Sequence, residues 1–294
     1  MFDYDNAICY SGYREGQSPL TGVFPSKEEI LEDLKILEGK YYYLRLYDCT
    51  RHAYFVLDVI KTNNLNFKVM LGLHLLAEEN HEGESFHGKY DDFTLNKNRF
   101  LNETRIDEII QLGNKYEEIV SAISVGNETR SPWSNHRVSI DRLISATMLI
   151  QESTNLPVTF CEEYGTWIRE LAPLAEVVDF ISLHTYPAWE GKDINEAVEY
   201  AIECYAKVAN AYPDKECIIT ETGWPTSSHG SRIKKEVANA KNQTIYNKGI
   251  MEWAEKTKTL VYLFEAFDEP WKGGNIPEEP EKNWGIYDVD RKHK

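Results

Sequence analysis

The segment VDFISLH (residues 178–184), the amphipathic stretch EAVEYAIECYAKVANA (196–211) and the segment ECIIT (216–220) follow one another along the chain, and their reading decides the fold. The first and third are short apolar runs of strand length, rich in β-branched and aromatic residues. Between them Ala197, Ala201, Ile202 and Tyr205 recur at helical spacing. Strand, helix, strand in this order is the βαβ unit, which lays its two strands parallel.

Outward from this unit the pattern repeats. Further apolar runs lie near Ala7 to Tyr10, Tyr42 to Asp48, Phe67 to Leu73, Ala122 to Val125, Pro157 to Cys161 and Thr259 to Glu265. Seven steps from Ala7 to Thr259 average about 36 residues each, enough for a βα unit of roughly 30 or more. Helical signals fill the gaps. Ser26 to Glu29 reads as a capping box, after which Ile30, Leu31, Leu34 and Leu37 share one face. Ile106, Ile109, Ile110 and Leu112 mark another helix, and Val138, Leu143, Ile144 and Ile150 a third. A doubly wound sheet would alternate in the same way, but eight units without a Gly-rich phosphate turn favour closure. The expectation is an α/β fold, a single (β/α)8 TIM barrel forming one catalytic domain over residues 1–294. Glu78 to Asp92, polar and glycine-bearing, reads as a loop at its mouth.

Composition narrows the function. Lys and Arg number 32 against 48 Asp and Glu, a net charge of −16. That argues against nucleic acid and against an anionic membrane surface as partners. No apolar run reaches the roughly 18 residues of a membrane span, and the acidic start at Met1 to Asp5 has no signal-peptide character. The five cysteines are odd in number and lack CxxC spacing, so they read as buried free thiols.

In a barrel of this kind, functional side chains stand at the C-terminal ends of the strands. Carboxylates, amides and indoles follow the runs here: Asn127 and Glu128, Glu162 and Glu163, His184 to Tyr186, Glu221 to Pro225, and Phe264 to Lys272. This mixture suits a carbohydrate, with carboxylates and amides for hydroxyls and indoles for sugar faces. Two carboxylates can split a glycosidic bond, one protonated to release the leaving oxygen and one ionised to attack. Glu128 and Glu221 are the best pair, each directly after an apolar run.

These residues carry a resemblance. Val125 to Glu128, Glu221 to Pro225, Phe267 to Glu269 with Lys272, Arg45 to Asp48, Tyr186-Pro187 and Trp284 to Tyr287 resemble, in order, the motifs of glycoside hydrolase family 17, the β-1,3-glucanase family. The match spans residues 9 to 287, and Tyr10 to Gln17 resembles microbial members more than plant ones. The resemblance implies a retaining hydrolase of laminarin-type β-1,3-glucan, endo-acting, with Glu128 as acid/base and Glu221 as nucleophile. It further implies substrate-binding roles for Arg45, Asn127, Tyr186, Trp224, Glu269 and Lys272. Asn127 would hold a sugar 2-hydroxyl, Arg45 and Tyr186 would donate to Glu221, and Glu269 and Lys272 would bind hydroxyls. Glu265 has no counterpart role, and Glu162 and Glu163 stay unassigned.

Simpler readings stand beside these. Glu128 could sit on a helix dipole, Asn127 could cap the backbone, Tyr186 could be a core tyrosine, and Glu269 with Lys272 could be a surface ion pair. Not every Trp can be a sugar platform. His74, His81 and His87 fit no common metal-ligand spacing, so no metal and no cofactor are expected. A glucanosyltransferase using the same intermediate and a non-catalytic glucan-binding barrel are the competing functions. The expected partner is a β-1,3-glucan oligo- or polysaccharide, with the protein a monomer, secreted or periplasmic by resemblance.

Overall fold

The computed structural model describes residues 1–81 and 89–294. Its strands are β1 (Ala7–Cys9), β2 (Tyr43–Arg45), β3 (Lys68–Gly72), β4 (Val120–Asn127), β5 (Val158–Glu163), β6 (Ile181–His184), β7 (Cys217–Thr222) and β8 (Val261–Leu263). Each pairs parallel with the next, and β8 returns to β1, closing the barrel. The (β/α)8 expectation is met, and each observed strand lies in or over an apolar run. The second run carries on past its ladder: Leu46 N–H donates to Met70 O at 2.9 Å, but the chain is already turning into the rim.

The helices outside are α1 (Lys27–Leu37), α2 (Arg51–Asn63), α3 (Asp92–Lys115), α4 (Ile140–Ser153), α5 (Tyr164–Arg169), α6 (Ala172–Ala175), α7 (Ile194–Ala211) and α8 (Ala240–Thr257). The capping box at α1 is formed: Ser26 Oγ accepts from Glu29 N–H, and Glu29 Oε2 accepts from Ser26 N–H at 2.8 Å. Ile30, Leu34 and Leu37 of α1, Val56, Leu57 and Ile60 of α2, and Ala197, Ala201 and Val208 of α7 are buried against the barrel. Between β5 and β6 the periodicity marks no helix, and the structure has two short ones, α5 and α6. Among the described residues no helix is long and apolar enough to cross a membrane. All five cysteines are free and buried.

One register shift falls low in the barrel, between Val69 and Met70 where β3 meets the start of β4, and three more fall toward the rim. These three lie between Ser124 and Asn127 on β4, between Leu183 and His184 on β6, and between Ile219 and Thr222 on β7. A shift of this kind re-aims the side chains beyond it. The three strands affected end in Asn127, His184 and the Glu221 segment.

Candidate active site

The rim surrounds a cleft of about 1060 Å³, at the upper end of the usual range for ligand sites. Glu221, Glu128, Asn127, His184, Tyr186, Glu269, Lys272, Trp133, Trp189, Trp271 and Trp284 line it. Tyr10, Ser11, Tyr13 and Phe24, from the connection between β1 and α1, close one side.

Glu221 is buried inside the end of β7, 5% exposed. Arg45 Nη1 donates to its Oε1, and Tyr186 O–H donates to its Oε2 at 2.5 Å. Burial alone would push its carboxyl up. The facing His184 and Arg45 charges, with the Tyr186 hydrogen bond, hold it down at about 2 instead. It is therefore ionised throughout the neutral range. The strand end is tightly seated, since a Cβ added at Gly223 would lie 2.1 Å from Phe264 O.

Glu128 follows β4 directly. Its backbone is left-handed, φ +49°, after Gly126 at φ +105°. Its Oε1 lies 2.8 Å from His184 Nδ1, and its Oε2 accepts from Trp133 Nε1–H at 2.9 Å. His184 Nδ1 is also 3.5 Å from Glu221 Oε2. One buried imidazole thus bridges both glutamates. Burial opposes its charge, but Glu221, Cys161 and Glu128 push it up to about 10. The ligand-capable atoms of Glu128, His184 and Glu221 all lie within 4.8 Å of one another. This trio is the metal-capable cluster among the described residues, and a cation there would cover both carboxylates.

The remaining residues divide. Asn127 Oδ1 accepts from Arg45 Nη2 at 2.5 Å, which leaves its amide N–H groups as its donors to the cleft. Lys272 Nζ lies 2.6 Å from Glu269 Oε2 and 2.9 Å from Glu265 Oε2. Glu269 is thus buried at the cleft wall together with Glu265, and the half-buried Lys272 joins them, so the pair is not a surface ion pair. Trp224 corrects its expectation. It is fully buried, its Nε1–H donates to Val237 O at 2.8 Å, and its ring packs on Tyr246. The tight Gly223 approach and the following Pro225 turn this indole inward, away from sugar.

Sequence reasoning placed His184, Glu162 and Glu163 at the ends of their strands but gave them no role. His184 stands two before Tyr186, a spacing that puts both on one side of an extended chain. Glu163 caps α5 through Gly165 and Thr166 N–H groups. Glu162 accepts from Arg130 N–H at 2.8 Å and from Ser131 Oγ–H, and burial with the Glu128 charge pushes it up to about 8. His74 packs at a tilt against His136, ring centroids 5.1 Å apart, and burial, with the neighbouring His136 and Arg105, pushes it down to about 3. Of the mouth loop, residues 82–88, His87 among them, lie outside the described residues.

Comparison with known proteins follows the same line. Residues 7–285 match the family described as the BtgE/BtgC glycoside hydrolase domain. A glucan 1,3-beta-glucosidase of Arthroderma benhamiae is 28% identical over 195 residues, covering 60% of this chain and 61% of that protein. The btgC protein of Aspergillus niger, named as a glucan endo-1,3-beta-glucosidase, is 26% identical over 92% of this chain and 40% of its own length. The match to these curated relatives thus takes in two-fifths to three-fifths of their length. Among solved structures, an endo-laminarinase from Formosa superposes with a TM-score of 0.83 at 25% identity, over 97% of this chain and 83% of that one. A β-1,3-glucanosyltransferase of Rhizomucor miehei shares the fold, with a TM-score of 0.76 at 18% identity over 98% and 94% of the two chains.

Proposed function

The chain belongs to the BtgE/BtgC glycoside hydrolase domain family, and from that premise we propose that it hydrolyses β-1,3-glucan of the laminarin type, cutting within the polymer and retaining the anomeric configuration. The motifs support placing it with glycoside hydrolase family 17, and we read residues 1–294 as one catalytic domain. The observation that carries the reading is the pair of carboxylates at the barrel rim, whose nearest oxygens lie within 4.8 Å. Retaining enzymes hold their carboxyls about 5–5.5 Å apart, whereas inverting ones need about 6.5–9.5 Å to admit water.

The chemistry follows from the surroundings of each group. Glu221, ionised and aimed by Arg45 and Tyr186, attacks the anomeric carbon. The bond to the leaving oxygen breaks as Glu128 gives that oxygen its proton. A covalent glycosyl-enzyme on Glu221 results. Water then attacks the same carbon, its proton passing to Glu128, and Glu221 departs. Asn127 faces the sugar in the reacting position, with Glu269 and Lys272 at the cleft wall. Transfer to a sugar hydroxyl in place of water uses the same intermediate, and the glucanosyltransferase reading differs from hydrolysis only in that step. No metal or cofactor takes part in this scheme. A polymeric substrate fits a protein working outside the cytoplasm, as a monomer.

Reducing-sugar release on laminarin, cellulose, xylan and mannan tests the substrate, and it is expected to be far greater on laminarin. Equal or better activity on any of the other three rejects the assignment. Activity lost in chelator and restored by a divalent cation rejects the metal-free scheme.

A further inference from the structure

We infer that Trp133 is a positioning residue for Glu128 and, with its ring face, the platform for the sugar whose oxygen Glu128 protonates. The inference rests on the reading of Glu128 as acid/base.

Three observations support it. Trp133 Nε1–H donates to Glu128 Oε2 at 2.9 Å, so the indole edge is committed to that carboxyl. The ring is 48% exposed and lines the cleft, while Trp167, Trp224 and Trp284 are buried. An indole left half in water forgoes much of the burial such a side chain usually gains. Its loop is also held from below. Glu162 takes Arg130 N–H and Ser131 Oγ–H, and Ser134 N–H closes a turn on Ser131 O at 3.0 Å. His136 Nε2 lies 2.8 Å from Asn127 O. Trp133 is therefore an exposed aromatic on a pinned loop.

The consequence is geometric. The oxygen that leaves the anomeric carbon must reach Glu128, so the sugar bearing it lies against Glu128 and against the indole fixed to it. The N–H edge orients the carboxyl, and the face is free to stack on that ring. The two roles separate by substitution, because Phe keeps a face without the N–H and Ala keeps neither.

The experiment compares the parent, Trp133→Phe and Trp133→Ala on a laminari-oligosaccharide and on a dinitrophenyl β-glucoside. The dinitrophenolate leaves without a proton and carries no sugar in the leaving position. With the oligosaccharide, Trp133→Phe is expected to lower kcat about tenfold, the loss set by one hydrogen bond to a charged group, with KM unchanged. Trp133→Ala is expected to show the same loss and a KM raised about tenfold. On the dinitrophenyl substrate both variants are expected to form the glycosyl-enzyme, read as the burst of dinitrophenolate, at a rate within about twofold of the parent, because that step needs no proton from Glu128. Trp133→Phe equal to the parent on both substrates overturns the positioning role. Trp133→Ala with an unchanged KM overturns the platform, and an equal loss in the burst rate on the dinitrophenyl substrate overturns both. A Glu128→Ala protein as active as the parent on the oligosaccharide overturns the reading beneath this inference, and the inference with it. That result is distinguishable because it requires no Trp133 variant.

Discussion

Glu128 holds a backbone conformation that a non-glycine residue adopts at a cost of about 1–3 kcal/mol, and it does so at the one place where the carboxyl must meet His184, Trp133 and the cleft together. Its division of labour with Glu221 can be read chemically. Glu128→Ala should still form the glycosyl-enzyme from a dinitrophenyl glucoside but release it slowly, and azide should accelerate release as the β-azide. Glu221→Ala should be inactive on every β-glucan, and any azide product should be α. The anomer, read by NMR, decides, and the opposite pairing would reverse the roles. His184 carries the pH dependence. Its folded value, about 10, lies above the ordinary 6.5, so its contribution to stability is complete below about pH 6.5 and is lost as pH rises through about 10. The melting-temperature gap between the parent and His184→Asn should therefore shrink from pH 6 to pH 10; a gap constant over that range would contradict the bridging charge. Glu128, Glu221, Arg45 and Tyr186 were legible because each lies in or just past an apolar run. Trp133 and Glu162 were in view without a role, because the first lies in an irregular loop that does not tell it from a core indole and the second is buried by contacts distant in sequence.

At the level of elements, the eight runs and four of the helices were readable from periodicity alone, since burial of a parallel strand and of one helix face is a local property of sequence. The register shifts on β4, β6 and β7 were not readable, because they arise from pairing between segments about 35 to 40 residues apart. Trp224 failed for the same kind of reason. Its motif fixed a turn but not the side to which the ring points. The close contact of β7 with the end of β8 yields a sharp expectation. Gly223→Ala would put a Cβ 2.1 Å from Phe264 O, forcing the two strand ends apart and displacing Glu221. A shift of about 1 Å at a reacting group costs on the order of 10²-fold. kcat/KM on laminari-oligosaccharides should fall by that order, with a lowered melting temperature. Activity within about threefold of the parent would show that the strand ends yield without moving Glu221.

Across the whole molecule, the segment after the barrel is bound back onto its first unit. Arg291 lies 2.7 Å and 2.9 Å from the two oxygens of the buried Asp33 and donates to Gly12 O at 2.8 Å. Arg14 completes the cluster at 3.0 Å. Burial pushes Asp33 up against these two arginines, so removing one leaves a carboxylate short of compensation. Arg291→Ala should cost about 3 kcal/mol in denaturant unfolding, with the nucleophile site untouched; a loss under about 1 kcal/mol would show Arg14 sufficient alone. The five free thiols have a different kind of consequence. Cys9 on β1, Cys49 after β2, Cys161 on β5, Cys204 on α7 and Cys217 on β7 are buried at stations around the wall. Cys49 lines the cleft, but the other four are shut in by the closed wall, and a reagent such as dithionitrobenzoate reaches them only when a sector of that wall parts. Residue-resolved labelling in dilute urea then times the opening of each sector. Four matched rates mean that the ring comes apart at once, and a staggered series names the seam where it first gives way.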